Sequence, residues 1–169
     1  MARGDDEFAD FVRASSTRLT HAAFLLTGDR HQAEDAAQTA FTRTYAAWSR
    51  VRHKDAYGYA RTVLMNHVID GWRRPIREYA TEEMPERPDR ADVDQAVTQR
   101  EWLTSVLKTL TARERAVVVL RHFFDLPEAD VARELGVSLG TVKSTNSRAL
   151  AKLRIEAGTE DTLIGGSGR

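Results

Sequence analysis

The chain has 169 residues, 25 basic and 25 acidic side chains and no cysteine, which excludes disulfides and thiolate metal sites. Its longest apolar runs, Ala22 to Leu26 and Ala116 to Leu120, fall far short of the roughly 20 residues that cross a bilayer. The acidic start MARGDDEFADF has no signal-peptide core, so a cytoplasmic protein with no membrane contact is expected. Zero net charge hides strong segregation. Residues 51–77 hold six basic against two acidic side chains, net +4; residues 78–101 hold three against eight, net −5; residues 138–154 hold four basic side chains and no acid.

Helical periodicity predicts nearly every element in turn. A first helix is expected from about Glu7 to Leu26, with Phe8, Phe11, Val12, Leu19, Ala22, Ala23 and Leu26 as its apolar stripe and Gly28 ending it. Asp29 with Gln32 resembles a capping box and opens a second helix to about Arg50, apolar at Ala33, Ala36, Ala37, Ala40, Phe41, Tyr45 and Trp48. A third, Asp55 to Arg74, buries Ala60, Leu64, Val68 and Gly71 or Trp72 until Pro75 stops it. Beyond an acidic, proline-containing connector, Val93 to Leu110 forms a fourth helix, and Thr111 with Glu114 caps a fifth. No alternating β-branched run suggests a sheet. The expected fold is all-α: two small helical bundles joined by an acidic flexible linker, the C-terminal bundle containing a helix-turn-helix. The expected limits are 1–77, linker 78–95, 96–155, and a flexible glycine-rich tail 156–169.

The helix-turn-helix is read from Pro127 to Arg154. Its first helix starts at Pro127 or Glu128 and buries Val131, Ala132 and Leu135; Gly136 supplies the left-handed residue that reverses the chain. Ser138 caps a second helix running to about Arg154. Val142, Asn146, Ala149 and Leu153 are assigned to its inner face, and Thr141, Ser144, Thr145, Arg148 and Lys152 to its outer face. Small polar and cationic groups without acid suit a duplex major groove. On the third helix, Tyr59, Asn66, Asp70 and Arg73 share one face, with Arg61, His67 and Arg74 nearby. Rings, cations and an amide suit an unstacked single strand.

Together these constellations resemble the extracytoplasmic-function sigma factors of bacterial RNA polymerase, over about Phe8 to Arg154. The resemblance rests on AEDAAQTAF (Ala33 to Phe41), VLMN ending at Asn66 followed by WRR, LTARERAVVVLRHF (Leu110 to Phe123), and LGVSLGTVKS followed by RAL and LR (Leu135 to Arg154). It implies a first bundle that binds core RNA polymerase at the β′ clamp helices and melts the minus-10 element, and a second that binds minus-35 duplex, with the β flap as a further polymerase contact. Asp35, Gln38 and Thr39 match the core-binding motif, with Thr39 where the family commonly carries Glu. Asn66 matches the position that captures a flipped minus-10 base, flanked by Tyr59, Arg61, His67, Asp70, Arg73 and Arg74. Ser138, Thr141, Lys143, Ser144, Thr145 and Arg148 match minus-35 contacts, with Thr145 where many relatives place Arg. The acidic connector, including Glu82, Glu83, Glu86 and Asp89, is implied to thread near the RNA exit path. An anti-sigma protein is a further implied partner.

Enzyme readings find little footing. His31, Glu34 and Asp35 have a helix-bundle metal spacing, but no second set accompanies them, and there is no phosphate-binding glycine loop or nucleophile elbow. No catalytic residue, metal or cofactor is expected. The nearer alternative is a stand-alone helix-turn-helix repressor or activator, which gives the Asp35–Gln38 motif no role.

Overall fold

The structure, a computed structural model, describes the backbone of residues 3–73 and 95–164 and the side chains of residues 3–72 and 101–156. Among the described residues all regular structure is helical. The expected linker lies outside them up to residue 94, as do Arg74 and Pro75. The chain divides into two compact units, Met1–Thr98 and Gln99–Arg169.

In the first unit, α1 (Arg3–Thr27) and α4 (Ala56–Arg73) both pack on α2 (Arg30–Ala46). The reason is on α2 itself: Ala33, Ala36, Ala37 and Ala40 are all buried. A face this small lets two helices approach closely. Leu19 and Leu26 from α1 and Leu64 and Met65 from α4 fill the space and are fully buried. Each such side chain contributes about 1.5–3 kcal/mol. Gly28 closes α1 in the left-handed region, with φ 68°. Asp29 then caps α2 by accepting the N–H of Gln32 at 3.0 Å.

The second helix ends earlier than periodicity predicts. α2 stops at Ala46, and a separate turn, α3 (Trp48–Val51), replaces its expected last stretch. Packing of rings explains the break. Trp48 lies edge-on to Phe8 at 5.1 Å and tilted against Phe11 at 5.4 Å. Tyr45, expected on the inner face, is half exposed; its ring meets Phe8 at 4.9 Å and its hydroxyl donates to Asp5 at 2.9 Å. Asp55 opens α4 by accepting the N–H of Gly58 at 2.9 Å.

The boundary at Gln99 falls one turn into α5 (Gln95–Lys108), which α6 (Ala112–Val118) follows in the second unit. The capping box at Thr111 forms in full: the N–H of Glu114 donates to the Thr111 hydroxyl at 3.2 Å and the N–H of Thr111 to the Glu114 carboxylate at 2.9 Å. Arg115 reaches back to the carbonyls of Leu107, at 3.1 Å, and Leu110, at 3.3 Å, acceptors in the last turn of α5 and just past its end. After α6 the chain widens into a π-helical turn, Val119–Phe123, closed by the N–H of Phe124 on the carbonyl of Val119 at 3.0 Å. Leu120 and Phe124 are both buried. The hairpin follows as α7 (Glu128–Leu135) and α8 (Leu139–Ile164). α8 runs on through 156–164, a stretch expected to be tail, with Gly158 inside it and the Gly165–Gly166 pair beyond its end.

Candidate nucleic-acid interface

On α4 the core residues Ala60, Leu64, Met65 and Val68 turn inward, which leaves Asn66 and Asp70 exposed. Tyr59 and Arg61 are half-buried at the edge of the same helix. Sequence reasoning did not include Arg50, whose guanidinium lies over the Tyr59 ring at 5.7 Å. It comes from α3, the short turn that follows the break in α2. The structure describes only the backbone of Arg73, and Arg74 lies outside the described residues.

His67 is half-buried, and its Nε2 lies 3.2 Å from a carboxylate oxygen of Asp35 on α2. The contact joins two residues that the sequence assigns to different surfaces. Asp35 and Gln38 are exposed and Thr39 is half-buried, so the three stand on the outward side of α2, opposite its alanine face. Phe41 is half-buried at the edge of a groove between α1 and α2 that Phe8, Val12 and Ala37 also line. Asp35 faces His67 and not His31. Among the described residues no group of three or more His, Cys, Asp or Glu side chains is placed to hold a metal ion. No described helix is long and apolar enough to cross a membrane.

In the second unit the hairpin turn is built from local bonds. Gly136 has φ 66° and ψ 36°; its N–H meets the carbonyl of Arg133 at 3.4 Å and the N–H of Val137 that of Ala132 at 3.1 Å. This pairing is a Schellman turn. Val131 and Ala132 are buried against it, while Leu135 is only half-buried. Ser138 caps α8 by accepting the N–H of Thr141 at 3.1 Å, and the two hydroxyls lie 2.8 Å apart. Ser138, Lys143, Ser144 and Arg148 are exposed and Thr141 is half-buried. Leu139 and Gly140, which periodicity did not single out, are exposed beside them.

One outer-face assignment on α8 is corrected: Thr145 is 1 % exposed and lies in the core with Val142 and Ala149. Lys152 is exposed as expected, and its Nζ meets the buried Glu114 carboxylate, Nζ to Oε1 2.6 Å. The helix is rotated from the register its apolar residues suggest, because a threonine methyl packs as well as an apolar side chain while its hydroxyl stays within 3.4 Å of Arg148. Asn146, assigned inward, instead lies half-buried with its side-chain oxygen 2.9 Å from His122 Nε2.

Comparison with known proteins gives this geometry a family. The Sigma-70 region 2 family matches residues 11–77 and the Sigma-70, region 4 family residues 100–153. The chain is 41% identical over 157 residues to the RNA polymerase sigma-E factor of Streptomyces coelicolor, covering 92% of this chain and 88% of that one. It is 31% identical over 143 residues to the ECF RNA polymerase sigma factor SigL of Mycobacterium tuberculosis, covering 79% and 78%. The fold is similar to that of the sigma factor RpoE of Bartonella quintana, solved in complex with the anti-sigma factor NepR, with a TM-score of 0.66 over 88% of this chain and 97% of that chain at 22% identity. The chain therefore belongs to the extracytoplasmic-function sigma factors of the sigma-70 family, non-catalytic subunits that direct promoter-specific transcription initiation by RNA polymerase.

Proposed function

We propose that this sigma factor reads its promoter with two separate faces. The Tyr59–Asn66–Asp70 face of α4, with Arg61, His67, Arg73 and Arg74, captures a melted minus-10 base. The Ser138, Thr141, Lys143, Ser144 and Arg148 face of α8 docks on minus-35 duplex. Asp35, Gln38 and Thr39 on α2 meet the β′ clamp helices of core polymerase, and the second unit meets the β flap. The functional limits are 1–77 for the first domain, 78–95 for the linker and 96–155 for the second domain, and the protein works in the cytoplasm. An anti-sigma protein is proposed as a regulatory partner, supported by the NepR complex of the Bartonella relative.

The observation that carries this reading is the exposure of Asn66. A buried helix face surrounds it on α4, yet its amide stands clear of the core, between the half-buried Tyr59 ring and the exposed Asp70 carboxylate along the helix. An exposed amide costs nothing to desolvate until a base pairs with it. Base capture then stabilises the opened strand by binding alone.

Run-off transcription from a promoter library, with the purified protein and sigma-free bacterial core polymerase, tests the reading. Specific transcripts are expected. Asn66→Ala should abolish discrimination at one minus-10 position, a loss of about 1–3 kcal/mol. Minus-10 discrimination that survives Asn66→Ala would overturn the assignment of the α4 face.

A further inference from the structure

The buried stripe of α8 contains Val142, Thr145 and Ala149, spaced by three and four, and the next position in that spacing is Lys152. Lys152 also lies four residues beyond the exposed Arg148, so it sits at the seam between the stripe that packs and the face that is open. A cation at such a seam has two possible partners, a phosphate outside or a carboxylate inside. The structure assigns it the second: its Nζ lies 2.6 Å from Glu114, whose side chain is 4 % exposed.

Glu114 is itself committed. The oxygen that receives Lys152 also accepts the N–H of Thr111, and the N–H of Glu114 is held by the Thr111 hydroxyl. Lys152 therefore docks on the first turn of α6 at a point fixed in both position and direction. Apolar contacts between α6 and α8 resist separation but not a small rotation of one helix about its own axis. A directed ion pair at the seam, with Glu114 buried and Lys152 44 % exposed, does resist it, a register role of the kind known for polar groups at packed positions. Burial pushes the Glu114 carboxyl up, yet the bonds from Lys152 and Thr111 outweigh this and hold it below its ordinary value, so it is a carboxylate at neutral pH.

We infer that Lys152 is a positioning residue and not a phosphate contact: through Glu114 it sets the rotation of α8 and so aims Thr141, Ser144 and Arg148 at the minus-35 bases. The inference rests on the proposed minus-35 face, and its test separates the two. Holoenzyme assembled from the full chain and core polymerase is titrated onto a duplex carrying the minus-35 sequence selected in the run-off library, and onto the same duplex with one minus-35 base changed, across a KCl series. Lys143→Gln and Arg148→Gln should each lower the salt slope by about 0.9, the signature of one lost phosphate contact. Lys152→Gln should leave the slope unchanged while reducing the preference for the intact sequence by about tenfold, the scale of one lost base contact. Lys152→Arg keeps a donor for Glu114 and should behave as the parent protein. A slope lowered by Lys152→Gln as much as by Arg148→Gln overturns the inference, as does an unchanged preference, or a Lys152→Arg chain that folds and discriminates no better than Lys152→Gln. Flat slopes for Lys143→Gln and Arg148→Gln would overturn the minus-35 face itself, and the inference with it.

Discussion

Glu114 answers to two opposing influences, and its balance makes a pH prediction. Burial disfavours its charge, but the Lys152 ammonium and the Thr111 bonds favour it more, and the folded carboxyl titrates below its ordinary 4.5. A carboxyl depressed in the folded state adds stability that is full above its unfolded value and is lost as pH falls through the folded one. The second unit should therefore lose stability in acid partly through this group. Urea unfolding followed from pH 7 to pH 3 should show the parent chain more stable than Glu114→Gln at neutral pH, with the gap closing below about pH 4.5. Parallel curves for the two chains would show that the carboxylate contributes nothing to folding. At the same scale, His67 bonds to Asp35 across 32 residues of sequence, so the α2 and α4 faces share a side-chain contact before any partner arrives.

Turns and caps are where the elements are most legible, because their bonds close within five residues. Gly28, Asp29, the Thr111–Glu114 box, Gly136 and Ser138 all stand where the sequence places them. Gly136 offers a direct measure of one such signal. A Cβ there would meet nothing within 4 Å, so the only penalty on Gly136→Ala is its φ of +66°. That strain amounts to about 1–2 kcal/mol. The urea midpoint of the second unit should fall accordingly, and an unchanged midpoint would mean the turn relaxes to negative φ. Illegible features share the opposite property, a partner distant in sequence. α2 ends early because Trp48 packs on Phe8, 40 residues away. Lys152 on α8 finds its carboxylate partner, Glu114, 38 residues away. The π-helical turn at Val119–Phe123 left no mark in a run of apolar residues that suits either helix type. Thr145 was misplaced for a related reason: periodicity counts a threonine as polar, whereas the folded chain buries its methyl.

At the scale of the whole molecule, the two proposed readings lie in different compact units, each with a core drawn from its own helices. Asn66 stands on the surface of the α1, α2 and α4 bundle, and Arg148 on that of the α6, α7 and α8 group. No described side chain hydrogen-bonds both, since the partner of Arg148 is Thr145 on its own helix. Substitutions without shared partners add, to within about 0.5 kcal/mol. Asn66→Ala and Arg148→Gln should therefore multiply their losses when combined. Promoter affinity of holoenzyme measured for the parent, both single variants and the double variant closes the cycle. A double variant weaker than the parent by the product of the two single losses, to within about twofold, would mean the faces contribute separately, each stabilising its own promoter element. A double variant no weaker than the worse single one would mean that minus-10 capture follows only from correct minus-35 docking, and the two faces would then act as one reading.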